Sequence, residues 1–129
     1  MEIKFRVLGQ PCGKGRPRFA KGHVYTPKKT REYETDIKTA YISMSKGYSY
    51  KDTPVIVCIE ARLKRAKSNK RKYAVTKPDL DNIIKAVLDG LNGVAFDDDR
   101  QVIEISAKKL YCNAENDMPY TEVVIYPKQ

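Results

Sequence analysis

The chain has 129 residues, 41% hydrophobic and 32% charged, with 25 Lys and Arg against 16 Asp and Glu for a formal charge of +9. That size predicts one soluble domain spanning 1–129, and the positive excess predicts a polyanionic partner, nucleic acid first and an acidic membrane surface second. No apolar run approaches the roughly 20 residues of a bilayer span and MEIKFRVLGQ is too short and charged for a signal peptide, so a cytoplasmic location and no membrane contact are expected. Cys12, Cys58 and Cys112 form no C-x-x-C pair and His23 is the single histidine, which argues against a disulfide framework, a zinc site and most histidine-based nuclease chemistry.

In chain order, Glu2 to Leu8 alternates Ile3, Phe5 and Val7 against Glu2, Lys4 and Arg6, the pattern of a half-buried strand. From Gly9 to Lys21 glycines and prolines are interspersed with Lys14, Arg16, Arg18 and Lys21. This reads either as a loop whose backbone can approach a phosphate or as a solvated basic loop. Thr26-Pro27 opens a helix from Lys28 to about Ser45, with Tyr33, Ile37, Ala40, Tyr41 and Met44 on a core face. Val55 to Leu63 is rich in β-branched residues and reads as a central strand covered on both faces. Arg62, Lys64, Arg65, Lys67, Lys70, Arg71 and Lys72 then crowd into eleven positions, a solvated run or a clamp on a nucleic-acid backbone, with 66–75 expected to be disordered without it. Beyond the stretch treated next, Gln101 to Tyr111 and Thr121 to Tyr126 are strands joined by a polar loop. The elements read βαβαββ, an α/β (α+β) domain with a mixed sheet and two helices packed on it.

The stretch Lys77 to Val102, KPDLDNIIKAVLDGLNGVAFDDDRQV, organises the rest. Leu80, Ile83, Ile84, Val87, Leu88 and Leu91 fall on one arc at 100° per residue, opposite a stripe of Asp81, Lys85 and Asp89. Thr76 or Asp79 can cap this helix and Asn92-Gly93 can end it. A strand beginning near Phe96 and lying back along the helix would bring Asp97 to Asp99 beside Asp79 and Asp81, with Asp97 and Asp99 on one face. Clustered carboxylates in a basic protein point to a hard divalent cation, magnesium above all. The alternative is that Asp79 and Asp81 cap the helix while Asp97 to Asp99 form a solvated turn.

The runs K-P-D-L-D-N-I-I-K, D-G-L-N-G and D-D-R-Q-V, with G-Q-P-C-G-K-G-R-P-R-F near the N-terminus, resemble the signature of the RusA-type Holliday-junction resolvases. That resemblance implies a magnesium-dependent endonuclease that nicks four-way junction DNA as a homodimer, in recombination and repair, and leaves 5′-phosphate ends without a nucleotide cofactor. Matched residue by residue, it implies Asp79, Asp81 and Asp99 as metal ligands, Asp98 as a ligand or its supporting partner, and Lys85 on the scissile phosphate or attacking water. Lys14, Arg16, Arg18, Lys67, Lys70, Arg71 and Lys72 are the expected DNA contacts. Asp97 is an extra aspartate ahead of the family pair, which leaves the ligand register open. The rival readings are an inactive DNA-binding module of prophage origin and a D-x-D sugar-nucleotide transferase.

Overall fold

Ile3, Phe5 and Val7 bury one face of β1 (Ile3–Leu8) while Lys4, Arg6 and Leu8 stay exposed, so the alternation in the sequence decides which side of the sheet is inside. The structure, a computed structural model, describes residues 1–128. After β1 come β2 (Arg18–Ala20), β3 (His23–Tyr25), α1 (Lys28–Ser45), β4 (Val55–Leu63), α2 (Leu80–Leu91), β5 (Val102–Tyr111) and β6 (Tyr120–Pro127). The main sheet is mixed, in the order β1-β6-β4-β5, with β4 and β5 parallel and the other neighbours antiparallel. Its elements with the helices read βαβαββ as expected; β2 and β3 form a separate hairpin.

This hairpin falls in a stretch whose sequence predicts a loop. Lys21 and Gly22 both take positive φ, 51° and 78°, in the two-residue connection from Ala20 to His23, which is the combination that matches strand twist in a tight hairpin. All six of its strand residues are exposed, so no apolar alternation announces it.

β4 lies inside the sheet, and the two-sided expectation holds only at its start, where Ile56, on the face away from the helices, is buried. Val55, Val57, Ile59, Ala61 and Leu63 are buried under the helices, while Cys58, Glu60 and Arg62 are half-buried on the far side, where Glu60 pairs with Arg62 and Lys108. Tyr33, Ile37 and Tyr41 of α1 enter the same core, and the Tyr33 hydroxyl bonds that of Thr121 in β6. Met44, expected on this face, is exposed.

The buried arc of α2 is rotated from the predicted one. Ile83, Ala86, Val87, Gly90 and Leu91 are buried, while Leu80, Ile84 and Leu88 are only half-buried. Gly90 accounts for the rotation, since a Cβ there would stand 2.8 Å from Ile37 Cβ and 2.9 Å from the Glu34 carbonyl oxygen, so α1 closes on the bare backbone. Gly90→Ala should therefore cost about 1–3 kcal/mol by overpacking, read as a lower denaturant midpoint at unchanged slope; an unchanged midpoint would mean the helices part freely.

Candidate active site

Asp79 is the N-cap residue of α2, yet its side chain makes no capping hydrogen bond, and Asp81 is exposed in the first turn. Both carboxylates are thus free at the positive end of the helix dipole. Asp79 opens onto a cleft of about 430 Å3 whose walls include Gln10, Gly13, Lys29, Lys77 and Asn82. Sequence reasoning misses Lys29 and Lys77 because they stand far apart in the chain and no spacing shows that they meet at one cleft. Lys85, one turn beyond Asp81, is exposed and makes no ion pair among the described residues, with Asp81 or any other carboxylate.

One wall of the cleft is a strap from the N-terminal loop. The Lys14 N–H donates to the Asn82 carbonyl at 2.8 Å, and the Gly15 N–H donates to Thr30 Oγ1 at 3.0 Å. Glycine at position 13 allows this close approach, since a Cβ would sit 3.0 Å from the Cβ atoms of both Asn82 and Pro78, tighter than ordinary contact. The Lys14 ammonium is held between Glu34 at 2.8 Å and Asp89 at 2.9 Å. Burial lowers its proton affinity, but hydrogen bonds to Glu34 and Asp89 outweigh that and leave it above the ordinary lysine value. Lys14 is therefore spent on tying the strap to both helices, whereas Arg16 and Arg18 are exposed and free of carboxylates among the described residues.

The second acidic group sits differently from its predicted place. The chain does turn back at Gly93, which has φ 85° and donates to the Phe96 carbonyl, but Phe96 is fully buried there and β5 starts only at Val102. Asp97 to Gln101 form a turn ending in 3₁₀ geometry, not an extended strand. Gln101 fixes it: its Oε1 accepts from the Asp97 and Asp98 N–H groups at 2.9 and 3.3 Å, and its Nε2 donates to the Tyr50 and Thr53 carbonyls at 2.6 and 3.1 Å. Asp98 accepts from the Arg100 N–H and also pairs with its guanidinium. The Arg100 N–H, then a hydrogen bond from Asp99, hold Asp98 below the ordinary carboxylate range. Asp99 is pushed above it by that hydrogen bond with Asp98, by burial, and by the charges of Asp98 and Asp89.

The two acidic groups consequently lie at opposite ends of α2. Asp99 feels Asp89, near the C-terminal end, and the ten residues from Asp79 to Asp89 rise about 15 Å. The hard oxygen donors suit magnesium chemically, but among the described residues no three carboxylate, histidine or cysteine side chains gather as a metal would require. A single copy does not bring Asp79 and Asp81 to Asp98 and Asp99.

The basic run is fastened to the body, contrary to the expectation of disorder. Arg65 donates to the carbonyls of Cys112, Asn69 and Arg71, and Ala74 and Tyr111 exchange backbone bonds with Lys109 and Lys72 beside β5. Lys67, Lys70, Arg71 and Lys72 are exposed on this folded segment. No helix among the described residues is long and apolar enough to cross a membrane.

The sequence model of the family described as endodeoxyribonuclease RusA matches residues 9–126. The curated relative "Uncharacterized protein YqaN" of Bacillus subtilis (strain 168) is 31% identical over 139 aligned positions, which cover 95% of this chain and 94% of the relative.

Proposed function

The chain belongs to the RusA endodeoxyribonuclease family, and from that premise we propose that it is a magnesium-dependent nuclease that resolves four-way DNA junctions as a homodimer whose two copies complete each active site. The observation that carries this reading is the placement of Asp79 and Asp81 at one end of α2 and Asp98 and Asp99 at the other.

β5 supplies a way to close that gap. It starts next to the acidic turn, and near its other end Lys109 Nζ donates to the Thr76 and Pro78 carbonyls, at 2.7 and 2.8 Å, immediately ahead of Asp79. β5 is an edge strand that Tyr73 bridges at Leu110, while Ile103 and Ile105 are 52% and 40% exposed. An open edge with apolar side chains invites a further strand. Antiparallel pairing of two β5 strands about a two-fold axis would set the Asp99 end of one copy beside the Asp79–Asp81 end of its partner. A two-fold pair also suits the pseudo-symmetry of a four-way junction, in which two opposed strands must be nicked.

In this arrangement Asp79, Asp81 and Asp99 would hold the cation, with Asp98, fixed by the Arg100 N–H and guanidinium, beside them. Bound there, a magnesium ion would supply Lewis-acid stabilisation to a DNA phosphate. Lys29 and Lys77 draw the DNA backbone into the cleft at Asp79, Lys85 faces the scissile phosphate, and the exposed cations from Lys67 to Lys72 grip the adjoining arm. Gln101 acts on Asp98 and Asp99 by fixing their turn.

A labelled synthetic four-way junction tests the reading: paired nicks with magnesium, none in chelator, and little cutting of linear duplex of the same sequence are expected. Equal cutting of junction and duplex, or none at all, would contradict it. Salt dependence tests the contacts separately. Arg16→Ala, Lys70→Ala and Arg71→Ala should each flatten the slope of log affinity against log salt by about one unit. Lys14→Ala should leave the slope unchanged, because its ammonium is already engaged by Glu34 and Asp89.

A further inference from the structure

The β2–β3 hairpin places Phe19 and Val24 directly opposite each other, 73% and 70% exposed, on a ribbon that forms no sheet with the body. Directly opposed residues of an antiparallel pair share a face, so these two make an apolar patch, while Arg18, Tyr25 and His23 belong to the other face. An isolated two-stranded ribbon is marginal in water, and an exposed phenylalanine at its centre adds nothing to the core. The pair calls for a partner outside the chain.

Charge identifies that partner. Between Gly9 and Arg31 there are seven cations, Lys14, Arg16, Arg18, Lys21, Lys28, Lys29 and Arg31, and no carboxylate. A second copy of the hairpin would meet this patch with its own cations, and a lipid surface would leave the ribbon's position at the cleft unexplained. The ribbon leaves the body through Gly15, which is pinned to Thr30, directly after the strap that walls the cleft at Asp79. DNA offers phosphates to the flanking cations and flat apolar bases to Phe19, and bases are accessible where stacking is interrupted, at a branch point.

We infer that the hairpin is a base-stacking wedge: Phe19, backed by Val24, packs on an unstacked nucleobase at the centre of branched DNA while Arg16, Arg18 and Lys21 hold the adjoining phosphates. The inference rests on the proposed DNA-junction reading and adds to it the element that senses the branch. It separates two roles within the basic N-terminal stretch, since the cations contribute affinity for any DNA and Phe19 contributes preference for a branch.

The chain contains no tryptophan, so Phe19→Trp places a single indole fluorophore on the ribbon. Its emission should fall by at least half on binding a four-way junction in chelator, with affinity kept, and should change little on binding linear duplex. Phe19→Ala should lose about tenfold in junction affinity, within the range of one stacked base, and less than twofold for duplex, at unchanged salt slope. Because Phe19 lies outside the core, the thermal midpoint of both variants should match the parent. Full junction affinity with unquenched indole emission from the Phe19→Trp variant would overturn the wedge while leaving the nuclease reading intact. If the parent shows no preference for junctions, the nuclease reading fails; quenching of the introduced indole by single-stranded DNA would then still support stacking, and its absence would overturn it.

Discussion

Asp81→Asn should reduce cleavage of a four-way junction by more than a hundredfold while junction binding is kept or tightened. Asp81 is exposed in the first turn of α2 and its neighbour along the stripe, Lys85, makes no ion pair with it. The substitution therefore disturbs neither packing nor a charge partner, and it removes a negative charge that would face DNA. A hundredfold loss corresponds to about 3 kcal/mol of transition-state stabilisation. Gel-shift titration beside single-turnover cutting separates the two quantities; a parallel loss of both would make Asp81 a binding or folding residue.

The second large effect separates members of the Asp triplet. Asp99→Asn should lower magnesium-dependent cleavage by more than a hundredfold, whereas Asp97→Asn should stay within about tenfold of the parent. Extended geometry would have placed Asp97 and Asp99 on one face, but the turn gives them different surroundings. Asp97 is exposed and contributes its backbone N–H to Gln101, a bond that Asn retains. Asp99 shares a hydrogen bond with Asp98 and feels Asp89, so it holds its proton more tightly than an ordinary carboxyl. Like charges crowded in this way are relieved by a cation, and Asn cannot replace the lost carboxylate. An inactive Asp97→Asn with a normally cutting Asp99→Asn would shift the assignment by two residues.

β1, β4, β6 and both helices are legible because each buries a periodic face, and Ile3, Phe5 and Val7 or Ile83, Val87 and Leu91 write that period directly, whereas β5 buries only its end at Leu110 and Tyr111 and is legible from its β-branched residues alone. The acidic residues were legible as residue types and as a family pattern. Their arrangement was not, because the acidic turn is set by Gln101 reaching the carbonyls of Tyr50 and Thr53, 51 and 48 residues back in the chain. Periodicity is equally silent on Lys14, whose two partners come from different helices. The hairpin escaped because neither of its faces is buried, and the local cue that remained was Lys21-Gly22 between two short apolar-aromatic runs.

Subunit mixing tests most directly whether the site is shared between copies. Asp81→Asn and Asp99→Asn proteins, each inactive alone, are mixed and allowed to exchange protomers. In a mixed dimer one site would carry both lesions, while the other would join an intact Asp81 from one protomer to an intact Asp99 from its partner. Statistical exchange makes half of the dimers mixed, so about a quarter of the parental sites should return, seen as single nicks in a labelled junction rather than paired ones. If each site lay within one chain, every protomer in the mixture would carry a lesion, and the absence of any recovered cutting in verified mixed dimers would contradict the shared site.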